Sequence, residues 1–214
     1  MDFSFETAIL WVVPVVLAIT LHEAAHGYVA RMFGDQTAWM LGRVTLNPFK
    51  HIDPIGTVLV PGVLFLLKAP FLFGWAKPVP VNFGNLRHPK RDMVWVAGAG
   101  PLANFVMALG WALLLRATGP SGPWTSNGLY EMAGAGVGIN LALLALNLLP
   151  VPPLDGGRIA VGLLPHRASL LLARAEPYGF FVVLALIAIP GALWTVLGPI
   201  FRFFKFLVFA LSGM

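Results

Sequence analysis

Residues 7–33 read TAILWVVPVVLAITLHEAAHGYVARMF, and this stretch decides the fold class. The run from Thr7 to Phe33 is apolar, broken by Pro14 and by one polar cluster, His22, Glu23 and His26. It exceeds the roughly 20 residues that a helix needs to cross a hydrocarbon core. Gly34-Asp35 ends it. Working outward, 58% of the 214 residues are hydrophobic and 11% are charged, under half the charged share of about 25% in a soluble domain. Mean hydropathy is +0.81. A water-exposed fold of this size cannot hide that much apolar surface, because its surface-to-volume ratio is too high. A bilayer can.

The expected architecture is therefore an integral membrane protein, mostly α: a bundle of about four to six transmembrane or re-entrant helices at ~20 residues each, with short membrane-associated β-strands or hairpins. One membrane-embedded domain spans 1–214, with a core over about 8–176 and C-terminal apolar helices over about 177–212. The first apolar run follows Asp2 and Glu6 without a basic leader or a small-residue cleavage site, so no cleavable signal peptide is expected. No stretch between spans suits an inserted soluble domain.

Along the chain, the alternation from Thr37 to Asp53 predicts short strands with a turn at Asn47-Pro48. Asp53-Pro54 predicts the cap and first turn of a helix near Ile55, with 55–67 short for a full crossing. Gly74–Asn82 is proline-punctuated and alternating, which predicts an edge strand. Residues 93–117 and 129–149 are strong spans, separated by the uncharged loop 119–127. Residues 159–176 are mixed and basic, and 178–208 give one or two last apolar segments broken at Pro190-Gly191.

The net charge of +5 arises from basic residues that flank apolar segments. That is the pattern of a cytoplasmic membrane face, and it argues against a nucleic-acid partner. It places the N-terminus outside, residues 34–53 and the start of the 93–117 span in the cytoplasm, and 119–127 outside again. The segment between 53 and 93 must then return to the side it left.

A titratable side chain inside a membrane span is costly and so marks function. His22 and His26 are spaced i, i+4 and share one helical face. Two such imidazoles can hold Zn²⁺, with Glu23 beside them as general base towards an activated water. Shuffled sequences of this composition would contain H-E-x-x-H about once in 500. The bland alternative is a polar helix face lining a water-filled path, as in a transporter. The chain has no cysteine, so a third ligand must be His, Asp or Glu. Asp155 follows Pro152-Pro153 and precedes Gly156-Gly157, a context that suits either an aimed carboxylate or a helix N-cap. Asp53 reads as a cap, and Glu131 and Glu176 lie at span ends.

Three segments resemble the site-2 protease family of intramembrane metalloproteases: His22-Glu23-Ala24-Ala25-His26, Gly100-Pro101-Leu102-Ala103-Asn104, and Asn147 through Gly157 with Pro150, Pro152, Pro153 and Asp155. His51–Gly56 and Gly74–Asn82 resemble its compact bacterial branch, without a PDZ domain. The resemblance covers roughly residues 8–176. It implies one zinc ion per chain held by His22, His26 and Asp155, Glu23 as the base, and Asn147 as a contact to the substrate or oxyanion. It also implies a multi-pass protein of the bacterial inner membrane that cleaves proteins with a transmembrane segment; it does not fix the oligomeric state.

Weaker assignments complete the set. Asn140 lies two turns before Asn147 and suits either a second polar contact in the site or an interhelical hydrogen bond. Asn104 suits helix packing beside Gly98 and Gly100. Val79 and Val81, on the predicted edge strand, are candidates to receive an unwound substrate by strand addition. His51, His88 and His166 read as structural or interfacial. A transporter, a silent scaffold, and a metalloprotease with a glutamate third ligand are the competing classes; the last lacks its helical glutamate.

Overall fold

The computed structural model describes residues 5–67 and 74–214. Helix α1 spans Phe5–Met32, and a single helical turn, α2, follows at Thr37–Met40. Asp53 then accepts from the backbone N–H groups of Ile55 (3.0 Å) and Gly56 (2.6 Å). This caps a π-helical turn at Pro54–Leu59 that runs into α3, Val60–Leu66. The predicted cap is thus in place, and the helix is short. The expected return of this segment to its starting side falls partly on residues 68–73, outside the described residues.

After an extended segment come the long helices α4, Pro89–Thr118, and α5, Asn127–Asn147. The mixed basic region forms two short helices, α6 (Asp155–Leu163) and α7 (His166–Arg174). The last apolar region divides into α8, Glu176–Ala188, and α9, Ala192–Ser212. The break lies at Pro190-Gly191, where Pro190 offers no N–H to the helical ladder and Gly191 takes φ +80°.

Among the described residues, four helices are long and apolar enough to cross a membrane, within Ile9–Met32, Pro89–Thr118, Asn127–Asn147 and Ala192–Ser212, and α7 with α8 make a fifth candidate bent by 62°. Burial supports the same solvent. Trp11, Val12, Val13 and Leu17 on α1, Leu102 and Val106 on α4, and Phe203 and Phe206 on α9 are exposed, whereas His22, His26, Asn104 and Asn140 are buried. An apolar exterior around a hydrogen-bonded polar interior is the arrangement that lipid requires.

Helix α4 is the central element and packs on α1, α5, α6 and α9. Small residues let it approach its neighbours: Ala108 and Ala112 meet Val137, Leu141 and Val208 in one core cluster. A side chain at Gly136 would strike the ring of Trp111, so α4 and α5 are close enough for direct interhelical hydrogen bonds.

The predicted strands are corrected. No strand occurs among the described residues. Residues 37–46 begin with α2 instead, because Asp35 accepts from the Thr37 N–H (3.0 Å) and starts a helical turn. Gly42 turns the chain out of it at φ +63°. Residues 74–82 are extended but pair with no strand. Pro78 and Pro80 have no N–H, and four other donors go elsewhere: Trp75 to the Gly56 carbonyl, Lys77 to the His51 carbonyl, Val79 to Glu23 and Asn82 to Asp35. Side chains and loop carbonyls thus replace a partner strand.

Candidate metal centre

Helix α1 presents His22 and His26 on the face that meets α4. Their ring centroids are 4.7 Å apart and nearly perpendicular. Gly100 of α4 lies directly against them, where any Cβ would strike both imidazoles. The glycine is what lets the two helices close over the pair.

Each ring is held from behind. Nδ1 of His26 lies 2.7 Å from the Val96 carbonyl, and Nδ1 of His22 lies 2.6 Å from Oδ1 of Asn104. A backbone carbonyl only accepts, so His26 carries its proton on Nδ1. An amide oxygen imposes the same on His22. Both Nε2 lone pairs therefore point inward, 3.1 Å apart.

The third group comes from the far side of the sequence. Asp155 is the first residue of α6, one position past the N-cap Leu154. Its Oδ2 points at the histidines, 3.2 Å from Nε2 of His22 and 3.4 Å from Nε2 of His26. Local glycines make this possible. A Cβ on Gly156 or Gly157 would run into the backbone of residues 148–152, so α6 can begin tight against the turn that precedes it.

Oδ2 of Asp155 is buried and has no hydrogen-bond partner among the described residues. Three acceptor atoms thus converge within 4.8 Å of one another with no donor between them. Such a set is repulsive unless a cation sits among the three. Two imidazole nitrogens, one carboxylate oxygen and no thiolate suit Zn²⁺ with a fourth position open. The residues present fit that ion.

Beside this cluster is a cavity of about 430 Å³. His22, Glu23 and Asn147 line it together with apolar side chains, Ile19, Leu143, Leu146, Leu154, Phe180 and Val183 among them. Gly74, Trp75 and Ala76 of the extended segment close one side. Glu23, one residue on from His22, turns its carboxylate to the Val79 N–H at 2.7 Å.

Sequence-predicted residues separate into three groups. His22, His26 and Asp155 come together, and Glu23 and Asn147 share the adjoining cavity. Asn140 is fully buried and takes the interhelical bond, accepting from Nδ2 of Asn104 at 2.9 Å. The side chains of Val79 and Val81 pack into apolar clusters with Ala38 and Val44, and with Ala30, Leu86 and Val96, so it is the backbone N–H of Val79 that meets Glu23. His51 bonds the Thr45 carbonyl, and His88 flanks Asp92.

Sequence reasoning missed two contributors. Asp35, buried, ties the extended segment to α1 by accepting from the Asn82 N–H (2.7 Å) and the Asn85 amide (3.2 Å); a charged residue just past a span was its one visible sign. The Val96 carbonyl left no trace in residue type.

Comparison with known proteins places the family. The profile of peptidase family M50 matches residues 116–190, which include Asn147 and Asp155. YwhC of Bacillus subtilis, by its name a candidate zinc metalloprotease, is 42% identical over 193 residues, covering 87% of this chain and 84% of the relative. Rip2 of Mycolicibacterium smegmatis, named in the same way, is 30% identical over 194 residues, with 89% and 71% covered. MJ0611 of Methanocaldococcus jannaschii is 28% identical over 161 residues, with 74% and 72% covered. No solved structure matches the chain.

Proposed function

Since the chain belongs to peptidase family M50, the membrane zinc metalloproteases of the site-2 type, we propose that it hydrolyses peptide bonds within the transmembrane segments of its substrates, using His22, His26 and Asp155 to hold zinc and Glu23 as general base. The observation that carries the proposal is the convergence of three buried acceptor atoms, His22 Nε2, His26 Nε2 and Asp155 Oδ2, with no donor among them.

When bound, zinc polarises the scissile carbonyl and acidifies water towards a pKa of about 7. The chain's own residues do the rest. The Val79 N–H fixes Oε2 of Glu23, which leaves Oε1 to take a proton from water and pass it to the departing amine. Asn147, at the end of α5 and lining the same cavity, is placed to donate its amide to the substrate carbonyl. The apolar walls suit the side chains of a membrane segment. They also limit water near Glu23, which strengthens each polar contact there.

A substrate helix satisfies its own backbone and must unwind before attack. An unwound segment taken up on residues 78–82 pairs without the Val79 amide, which stays on Glu23, and Pro78 and Pro80 offer it only their carbonyls. In the orientation we propose, the N-terminus of α1 faces outside and the site lies nearer the cytoplasmic face of the bacterial inner membrane. His22 and His26 occupy the half of α1 that ends at the basic residue Arg31, as positive-inside bias requires.

The test is reconstitution of the full chain in vesicles with candidate single-span proteins, read by mass spectrometry of the products. Wild type should release peptides cut within the apolar segment; Glu23→Gln and chelator-treated protein should not. Zinc flux across the vesicles without peptide products would replace the protease reading with a transporter.

A further inference from the structure

We propose that Asn140 is a positioning residue for the metal centre, acting through Asn104 to hold His22 in the tautomer that can ligate; the inference rests on the ligand set given under Proposed function. Asn140 does not line the cavity, and its side-chain hydrogen bonds go to Asn104 and Gly136. It is connected to His22 by a one-way series of hydrogen bonds. Nδ2 of Asn140 donates to the Gly136 carbonyl at 2.9 Å, and Oδ1 of Asn140 accepts from Nδ2 of Asn104 at 2.9 Å. Nδ2 of Asn104 also reaches the Ala18 carbonyl at 3.3 Å. Oδ1 of Asn104 then lies 2.6 Å from Nδ1 of His22.

Two backbone carbonyls set the direction of this series. An amide can be turned over at little cost in shape, so the orientation of an asparagine is decided by its partners. The carbonyl of Gly136 can only accept, which forces the NH₂ of Asn140 to face it and its oxygen to face Asn104. The carbonyl of Ala18 and the oxygen of Asn140 together force the NH₂ of Asn104 to their side. The oxygen of Asn104 is left for His22. Turning Asn104 over would set its oxygen against two other acceptors in a site where both asparagines are fully buried. Unpaired buried acceptors are costly.

The consequence falls on zinc. With the oxygen of Asn104 towards it, His22 keeps its proton on Nδ1 and its lone pair on Nε2. With Asn104 reversed, Nδ1 must accept, the proton moves to Nε2, and the ring cannot ligate. Without Asn140, only the longer bond to Ala18 opposes that reversal. His26 needs no such relay, because the Val96 carbonyl holds it directly.

The test is zinc affinity of the full chain in micelles, measured by competition with a chromophoric chelator, for wild type, Asn140→Leu, Asn140→Ala, Asn104→Ala and the Asn104→Ala/Asn140→Leu double variant. Loss of an outer hydrogen-bond partner typically weakens metal binding about 10- to 100-fold, and a loss in that range is expected for each single variant. The double variant should bind no more weakly than Asn104→Ala alone, because Asn140 acts only through Asn104. Leu141→Ala, equally buried on the same helix, should lower the melting temperature and leave zinc affinity unchanged. Additive losses in the double variant, or an equal loss in Leu141→Ala, would make Asn140 a packing residue and overturn the proposal. So would wild-type affinity in both Asn140 variants. A wild-type protein that binds no zinc would instead overturn the ligand set itself.

Discussion

The backbone N–H of Val79 donates to Oε2 of Glu23 at 2.7 Å, joining the proposed base on α1 to an extended segment more than fifty residues later. The contact is made by backbone, so it is insensitive to most side chains at 79 and sensitive to proline. A hydrogen bond to a charged group contributes about 1.5–3 kcal/mol. Val79→Pro should therefore slow cleavage by tenfold or more with zinc content unchanged, and Val79→Ala should cleave far better than Val79→Pro. Equal rates for the two variants in the vesicle assay would show that this amide has no part in catalysis.

Glu23→Gln keeps the shape of the side chain and the acceptor for Val79 but removes the capacity to take a proton. Positioned general bases contribute about 10²–10⁴-fold, and turnover should fall by that range or more. Zinc affinity should stay close to wild type, since Glu23 is not a member of the converging set. Zinc loss in this variant, read by metal analysis of the purified protein, would move Glu23 from base to ligand.

Gly100 sits where a methyl group would strike His22 and His26. Gly100→Ala should push α4 away from α1, lengthen the Val96–His26 and Asn104–His22 contacts together, and weaken zinc binding and cleavage together. Gly98→Ala serves as its control, because a Cβ at Gly98 meets nothing within 4 Å. Comparable zinc affinity in the two variants would show that the approach of α4 to α1 is not set at Gly100.

How much of this was legible in the sequence depends on the range of each interaction. The spans were legible because lipid imposes a length and an apolar pattern that local composition records. The candidate ligand set was legible in part: His22 and His26 lie one turn apart, whereas the prolines and glycines around Asp155 suited a helix cap as well, and only the resemblance to the site-2 protease family implied a ligand there. The strands were misjudged at 37–46 and 74–82. Alternation records which residues are half-buried but not what their amides bond to, and here those amides bond to Glu23, Asp35 and loop carbonyls. For Asn104 and Asn140 a contact between helices was legible, but the direction of their hydrogen bonds was not, for a related reason. Each reads locally as a polar residue in a span, and only the crossing of α1, α4 and α5 fixes which acceptor faces which donor.

Asp35 gives the fold a dependence on pH. Burial alone would raise its pKa, but the hydroxyl and N–H of Thr37, the N–H of Asn82 and the Asn85 amide all donate to it, and the balance lies below the ordinary value of 3.8. A carboxyl whose folded value is depressed contributes stability that is fully present above the unfolded value and is lost as pH falls through the folded one. The ionised Asp35 holds the extended segment 74–82 at Asn82, and through it the Val79 amide at Glu23. Asp35→Asn should therefore lower the melting temperature by a constant amount at pH 5 and above, with the difference from wild type shrinking as the medium is taken below 3.8. Cleavage by Asp35→Asn at neutral pH should fall with zinc affinity retained, because the variant loosens the segment that orients the base and leaves the ligands in place. A melting difference that grows towards acid would mean that Asp35 is not held as the ionised acceptor of these four bonds.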